Sequence, residues 1–115
     1  MLRILLIEDE EPAAKRLEKM IREAEPQADI LAVIASASSA ISWFAANEEP
    51  DLIFSDIQLA DGTSFDVFRE VNVKCPVIFV TAYDQYAIDA FKLNSVDYLL
   101  KPLKKDELTA ALEKY

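Results

Sequence analysis

A single cysteine, Cys75, rules out an internal disulfide and points to a reducing compartment. A single glycine, Gly62, leaves no glycine-rich loop to wrap a nucleotide phosphate. No apolar stretch approaches the length of a membrane span, and the N-terminus lacks a basic region followed by an apolar one. Basic residues are outnumbered, 12 Lys and Arg against 21 Asp and Glu, and a net charge of −9 argues against direct binding to nucleic acid. Linkers, internal repeats and low-complexity segments are missing too. These scarcities describe a cytoplasmic domain with no membrane partner.

What is present is a globular balance, 52% hydrophobic and 29% charged, in 115 residues, enough for one domain with a buried core. Five short apolar runs alternate with five amphipathic ones. The runs Arg3–Ile7, Ile30–Ala35, Leu52–Ser55, Val77–Val80 and Val96–Leu100 are mostly near-continuous Val, Ile, Leu and Phe, as expected of parallel strands covered on both faces. Between them apolar residues recur with helical spacing: Ala14, Leu17, Ile21 and Ala24; then Ala37, Ile41, Phe44 and Ala45; finally Leu108, Ala111, Leu112 and Tyr115. Pro12 falls just inside the first helix, and Pro26 and Pro50 precede the second and third strands. Repeated βα units imply right-handed crossovers. The expected fold is α/β and flavodoxin-like, a doubly wound sheet of five parallel strands in the order 2-1-3-4-5.

In such a sheet the carboxyl ends of the strands share one edge, where ligands bind. Strand one runs into Glu8 and Asp9, strand three into Asp56, strand four into Thr81 and Ala82, strand five into Lys101 and Pro102. Three carboxylates and one ammonium at that edge describe a divalent-cation site beside a reactive carboxylate. The hard oxygens of Glu8 and Asp9 suit Mg²⁺, whereas Glu10 and Glu11 read as acids favoured at a helix start. A nucleotide-binding loop would need Gly, Ser or Thr here; this one repels anions unless a cation is present. Like-charged carboxylates do not gather at no cost, and an aspartate that takes a phosphoryl group is one reason to gather them. The Thr81 hydroxyl and Lys101 ammonium suit the oxygens of such a group. Asp61 and Gly62 read as a turn.

The ordered set Glu8, Asp9, Asp56, Thr81, Lys101 and Pro102 resembles the receiver domain of bacterial two-component response regulators, over essentially the whole chain. The stretches from Asp56 to Gly62 and from Thr81 to Phe91 resemble regulators that carry a LytTR-type DNA-binding domain. The resemblance implies that residues 1–115 are a receiver domain forming the N-terminal part of a longer transcriptional regulator. It implies that Asp56 accepts a phosphoryl group from a partner sensor histidine kinase. Glu8, Asp9, Asp56 and the backbone carbonyl of Gln58 would hold Mg²⁺, with Asp9 closer than Glu8, which stands where many receivers have aspartate. Thr81, followed by Ala82, would be the switch hydroxyl, Lys101 the phosphate partner and Tyr98 the aromatic that moves. The Lys101–Pro102 bond is expected to be cis. Gln58 and Tyr83 occupy positions that in receivers flank the path of attacking water. Phosphorylation would strengthen a homodimer through the fourth helix, strand five and the fifth helix.

Such a domain assists its own phosphorylation and dephosphorylation but is not a metabolic enzyme. Two other readings compete. An aspartate-nucleophile phosphohydrolase typically has a second aspartate two residues after the first, where this chain has Gln58, which cannot be a general acid or base. A phosphorylation-independent interaction domain would have no need of the pocket residues together.

Overall fold

The computed structural model describes residues 2–83, 86 and 95–115. The main sheet contains β1 (Arg3–Ile7), β2 (Asp29–Ile34), β3 (Leu52–Ser55), β6 (Val77–Thr81) and β7 (Ser95–Leu100), all parallel, in the order β2-β1-β3-β6-β7. A short antiparallel hairpin, β4 (Gln58–Leu59) and β5 (Gly62–Thr63), follows β3. With the hairpin set aside, the order is the expected 2-1-3-4-5. The expected strand bounds shift by a residue in places: β2 stops at Ile34, leaving Ala35 exposed, and β6 runs on to include Thr81.

The helices are α1 (Glu11–Ala24), α2 (Ala37–Ala46), α3 (Ser64–Glu70) and α4 (Lys105–Lys114). The fourth predicted helix falls among residues 84, 85 and 87–94, outside the described residues. Side chains alternate across each strand, so β1 divides the core in two. Ile4 and Leu6 join Leu17 and Ile21 of α1 and Leu108 and Ala111 of α4 on one face. Leu5 and Ile7 join Ala37 and Ala40 of α2 and Phe65 and Phe68 of α3 on the other. Burial on both faces explains why the central strands carry apolar residues without a polar alternate.

Local chemistry starts and stops these helices. Pro12 lies in the first turn of α1, where no intrahelical bond needs its missing N–H. The exposed side of α1 carries ion pairs four residues apart, Glu11 with Lys15 and Glu18 with Arg22. At α2, Ser36 accepts the Ser39 N–H at 3.1 Å, while Asp61 accepts those of Ala37 and Ser38 at 2.7 and 3.1 Å. Three of the unpaired donors at that helix start are thus satisfied. The sequence pattern misplaces two residues. Ala45 and Tyr115 are exposed, and Ala40 takes the buried place on α2, because the buried stripe there is narrower than the apolar composition suggests. Among the described residues no helix is long and apolar enough to cross a membrane.

Candidate functional site

The strand register sets the positions of the pocket side chains before any of them interacts. Ile7 pairs with Ile34 on one side and Ser55 on the other, so Glu8 and Asp56 leave the ladder side by side. Their backbones are anchored at once: Glu8 N–H donates to Ile34 O and Asp56 N–H to Ile7 O, both at 2.9 Å. At the far side Thr81 pairs with Leu100, and the Lys101 N–H donates to Thr81 O at 2.8 Å. Four functional side chains therefore emerge at one edge because the paired strands end there together.

Lys101 joins the two halves of the edge. Its Nζ donates to Glu8 Oε1 at 2.6 Å and to Asp56 Oδ2 at 2.8 Å, and it follows β7 through a cis Lys101–Pro102 bond. Glu8 and Asp56 are 4% and 7% exposed, so neither carboxylate depends on bulk water for its solvation. The remaining oxygens also have partners. Asp56 Oδ1 accepts the Ile57 N–H at 2.6 Å, and Glu8 Oε2 accepts the Glu10 N–H at 3.1 Å. Burial pushes the Glu8 carboxyl above its ordinary value, and the bond from Lys101 offsets this only in part. For Lys101, burial works against the charged form, but the bonds to Asp56 and Glu8 outweigh it and raise the ammonium pKa.

Asp9 is half-buried beside them, and one carboxylate oxygen from each of Glu8, Asp9 and Asp56 lies within 4.8 Å of the others. Among the described residues, Lys101 sets one positive charge against these three carboxylates. The excess negative charge and the all-oxygen donors fit a small hard divalent cation.

The expected switch residues stand at the same edge. Thr81 is fully buried, and its hydroxyl accepts the Tyr83 N–H at 3.3 Å. Ala82 and Tyr83 are exposed. Tyr98 is half-buried; its ring lies 6.3 Å from that of Phe79, and its hydroxyl donates to the Tyr83 carbonyl in a short hydrogen bond. Gln58 opens β4, paired with Thr63.

Three supporting contacts have no counterpart in the sequence reading. Asp61, read there as a turn residue, caps α2 and so ties the loop after Asp56 to that helix. Arg16 of α1 donates to Leu103 O at 2.7 Å, bracing the segment after Pro102. Gln58 Nε2 donates to the Tyr86 hydroxyl at 2.5 Å. Only Asp61 gave a signal, the Asp-Gly pair; the other two contacts depend on the fold.

A family model described as the response regulator receiver domain matches residues 4–113. The chain is 37% identical over 113 residues to the sensory transduction protein LytT of Enterococcus faecalis, covering 96% of this chain and 46% of the relative. It is 33% identical over 118 residues to the LytT protein of Bacillus subtilis, covering 100% of this chain and 48% of that one. The chain thus spans about half the length of the curated relatives it matches. Among solved structures, the response regulatory domain of mrkE from Klebsiella pneumoniae superposes with a TM-score of 0.88 at 24% identity, covering 98% of this chain and 93% of that one. A two-component response regulator from Clostridium difficile gives 0.83 at 26% identity, again covering 98% and 93%.

Proposed function

The chain belongs to the family of response regulator receiver domains, and on that premise we propose that it is a phosphorylation-controlled switch whose Asp56 takes a phosphoryl group from a partner sensor histidine kinase. The observation that supports this most is Lys101 Nζ held between Asp56 and Glu8, at 2.8 and 2.6 Å, beside Asp9. An ammonium so placed can follow the Asp56 oxygens onto an attached phosphoryl group without leaving the pocket.

In the transfer, an Asp56 carboxylate oxygen forms a bond to phosphorus as the bond from phosphorus to the donor breaks. Lys101 stays paired with the oxygens of the transferred group, and the Thr81 hydroxyl turns to donate to one of them. Asp9 and Asp56, with the Gln58 backbone carbonyl, are the residues that would hold Mg²⁺. Glu8 stands with them as a further oxygen donor, and its Oε1, which accepts Lys101 Nζ at 2.6 Å, also orients Lys101. Bound there, Mg²⁺ supplies positive charge to the cluster and to the incoming phosphoryl oxygens.

The switch reaches an output through the surface around β7. Tyr98 and the charged start of α4, from Lys104 to Glu107, border that surface, and we place a phosphorylation-strengthened homodimer there, with each patch meeting its own copy. The fourth predicted helix, assigned to the same face, lies outside the described residues. We read the chain as the N-terminal receiver of a longer cytoplasmic regulator whose output domain binds DNA, from its resemblance to LytTR-type regulators. Dimerisation would bring two such domains onto paired half-sites.

Incubation with Mg²⁺ and a small acyl phosphate separates the readings. A persistent aspartyl phosphate at Asp56 supports the switch. Continuing release of phosphate over many turnovers would make the chain a phosphohydrolase, and no modification would leave an interaction domain.

A further inference from the structure

The Gln58–Tyr86 hydrogen bond crosses 28 positions of sequence and joins the hairpin that follows Asp56 to a residue beyond Thr81. Gln58 lies two residues after Asp56 and is half-buried; Tyr86 lies five after Thr81 and is half-buried as well. Packing holds the Tyr86 ring independently of its hydroxyl. It meets Phe65 at 5.9 Å and Tyr83 at 6.1 Å between centroids, both edge to face. The hydroxyl is thus presented to Gln58 from a fixed ring.

We propose that Tyr86 is a positioning residue for the Asp56 pocket: its hydroxyl holds the Gln58 amide and keeps that amide from orienting water against phosphorylated Asp56. The inference rests on the reading of Asp56 given above. A primary amide cannot take a proton as a general base, yet it offers both donors and an acceptor and can orient an attacking water. In that hydrolysis the water oxygen forms a bond to phosphorus as the bond from phosphorus to the Asp56 oxygen breaks. The carboxylate leaves with the electron pair, the proton passes to solvent, and inorganic phosphate is released. With one Gln58 N–H committed to Tyr86 at 2.5 Å, the carboxamide is fixed in direction and cannot turn to follow an attacking water. Tyr86 therefore lengthens the life of the phosphorylated state.

The test follows loss of label from the full chain after treatment with Mg²⁺ and a small acyl phosphate. Tyr86→Phe keeps the ring against Phe65 and Tyr83 and removes only the hydroxyl. It should lose label about three- to tenfold faster, the worth of one hydrogen bond. The double variant Gln58→Ala/Tyr86→Phe should decay at the rate of Gln58→Ala alone, because the acceleration requires the amide. In the unmodified protein, the Gln58 side-chain amide protons should exchange with water faster in Tyr86→Phe, as NMR can measure. Normal labelling with an unchanged lifetime in Tyr86→Phe would overturn the inference alone. So would equal acceleration by Tyr86→Phe in the presence and absence of the Gln58 amide, or unchanged exchange. Failure of the unsubstituted chain to label would overturn the reading of Asp56 and this inference with it.

Discussion

The buried Thr81 hydroxyl accepts the Tyr83 N–H at 3.3 Å, and the Tyr83 carbonyl in turn accepts the Tyr98 hydroxyl. One backbone unit thus connects the floor of the pocket to β7. On the proposed reading, a phosphoryl group that drew the Thr81 hydroxyl away would release the Tyr83 N–H and loosen the seat of Tyr98. Thr81→Ala should therefore still be phosphorylated but fail to convert phosphorylation into self-association. Sedimentation with and without phosphodonor checks this. Normal dimerisation of Thr81→Ala, or a phosphorylated parent that stays monomeric at high concentration, would contradict it.

Lys101→Ala should leave Glu8 and Asp56 facing each other without their shared cation. Removing one partner of a buried pair is expensive, but Lys101 is 22% exposed, which tempers the cost to about 1–3 kcal/mol. Added Mg²⁺ should restore part of the loss. The parent also has an alkaline signature. Because the folded Lys101 pKa is raised, its contribution is complete below the unfolded value of about 10.4 and is lost as pH rises through the folded value. Denaturant melts across that range should fall more steeply for the parent than for Lys101→Ala.

On the acid side the informative group is Asp51, which lies outside the pocket. The Arg3 N–H at 2.8 Å is the main cause of its lowered pKa, with the Arg3 guanidinium a lesser one. A depressed carboxylate stabilises the fold above its unfolded pKa of about 3.9, and that contribution is lost as pH falls through the folded value. Asp51→Asn keeps an acceptor for the Arg3 N–H and removes only a partly exposed, solvent-screened charge, so it should cost no more than about 0.5 kcal/mol at neutral pH. It should also flatten the loss of stability below about pH 4, and an unchanged acid limb would show that Arg3 and Asp51 do not pair in solution.

Cys75 should be a poor nucleophile. Burial, reinforced by the adjacent Glu49 carboxylate, pushes its thiol pKa up to about 12. The Glu49 carboxylate accepts the Cys75 N–H at 2.8 Å and so is held in place. Against an ordinary thiol pKa of about 8.5, the thiolate fraction at neutral pH falls on the order of a thousandfold. Alkylation should be correspondingly slow in the native protein and fast after denaturation. Equal rates in the two states would mean that the thiol is not buried in the native protein.

The strand ends were legible in the sequence because parallel strands buried on both faces leave runs such as Leu5 to Ile7 and Leu52 to Phe54, the first stopped at once by Glu8 and the second by Asp56 after Ser55. Glu8, Asp56 and Lys101 could therefore be assigned to one edge, and the register brings them together. The β4–β5 hairpin was not legible, since two residues a side are too few to show a period. Nor could Asp61 be assigned to the start of α2, because its partners Ala37 and Ser38 lie over twenty residues earlier. Tyr86 had no local signal at all. Its role depends on the packing of Phe65 and Tyr83 around its ring.

The most direct test of the central claim is intact-mass and peptide analysis of the chain after exposure to Mg²⁺ and a small acyl phosphate, beside Asp56→Asn and a chelator control. The account predicts the mass of one phosphoryl group, located at Asp56, absent from Asp56→Asn and absent in chelator. Label that persists in Asp56→Asn, or that forms equally well without a divalent cation, would contradict it.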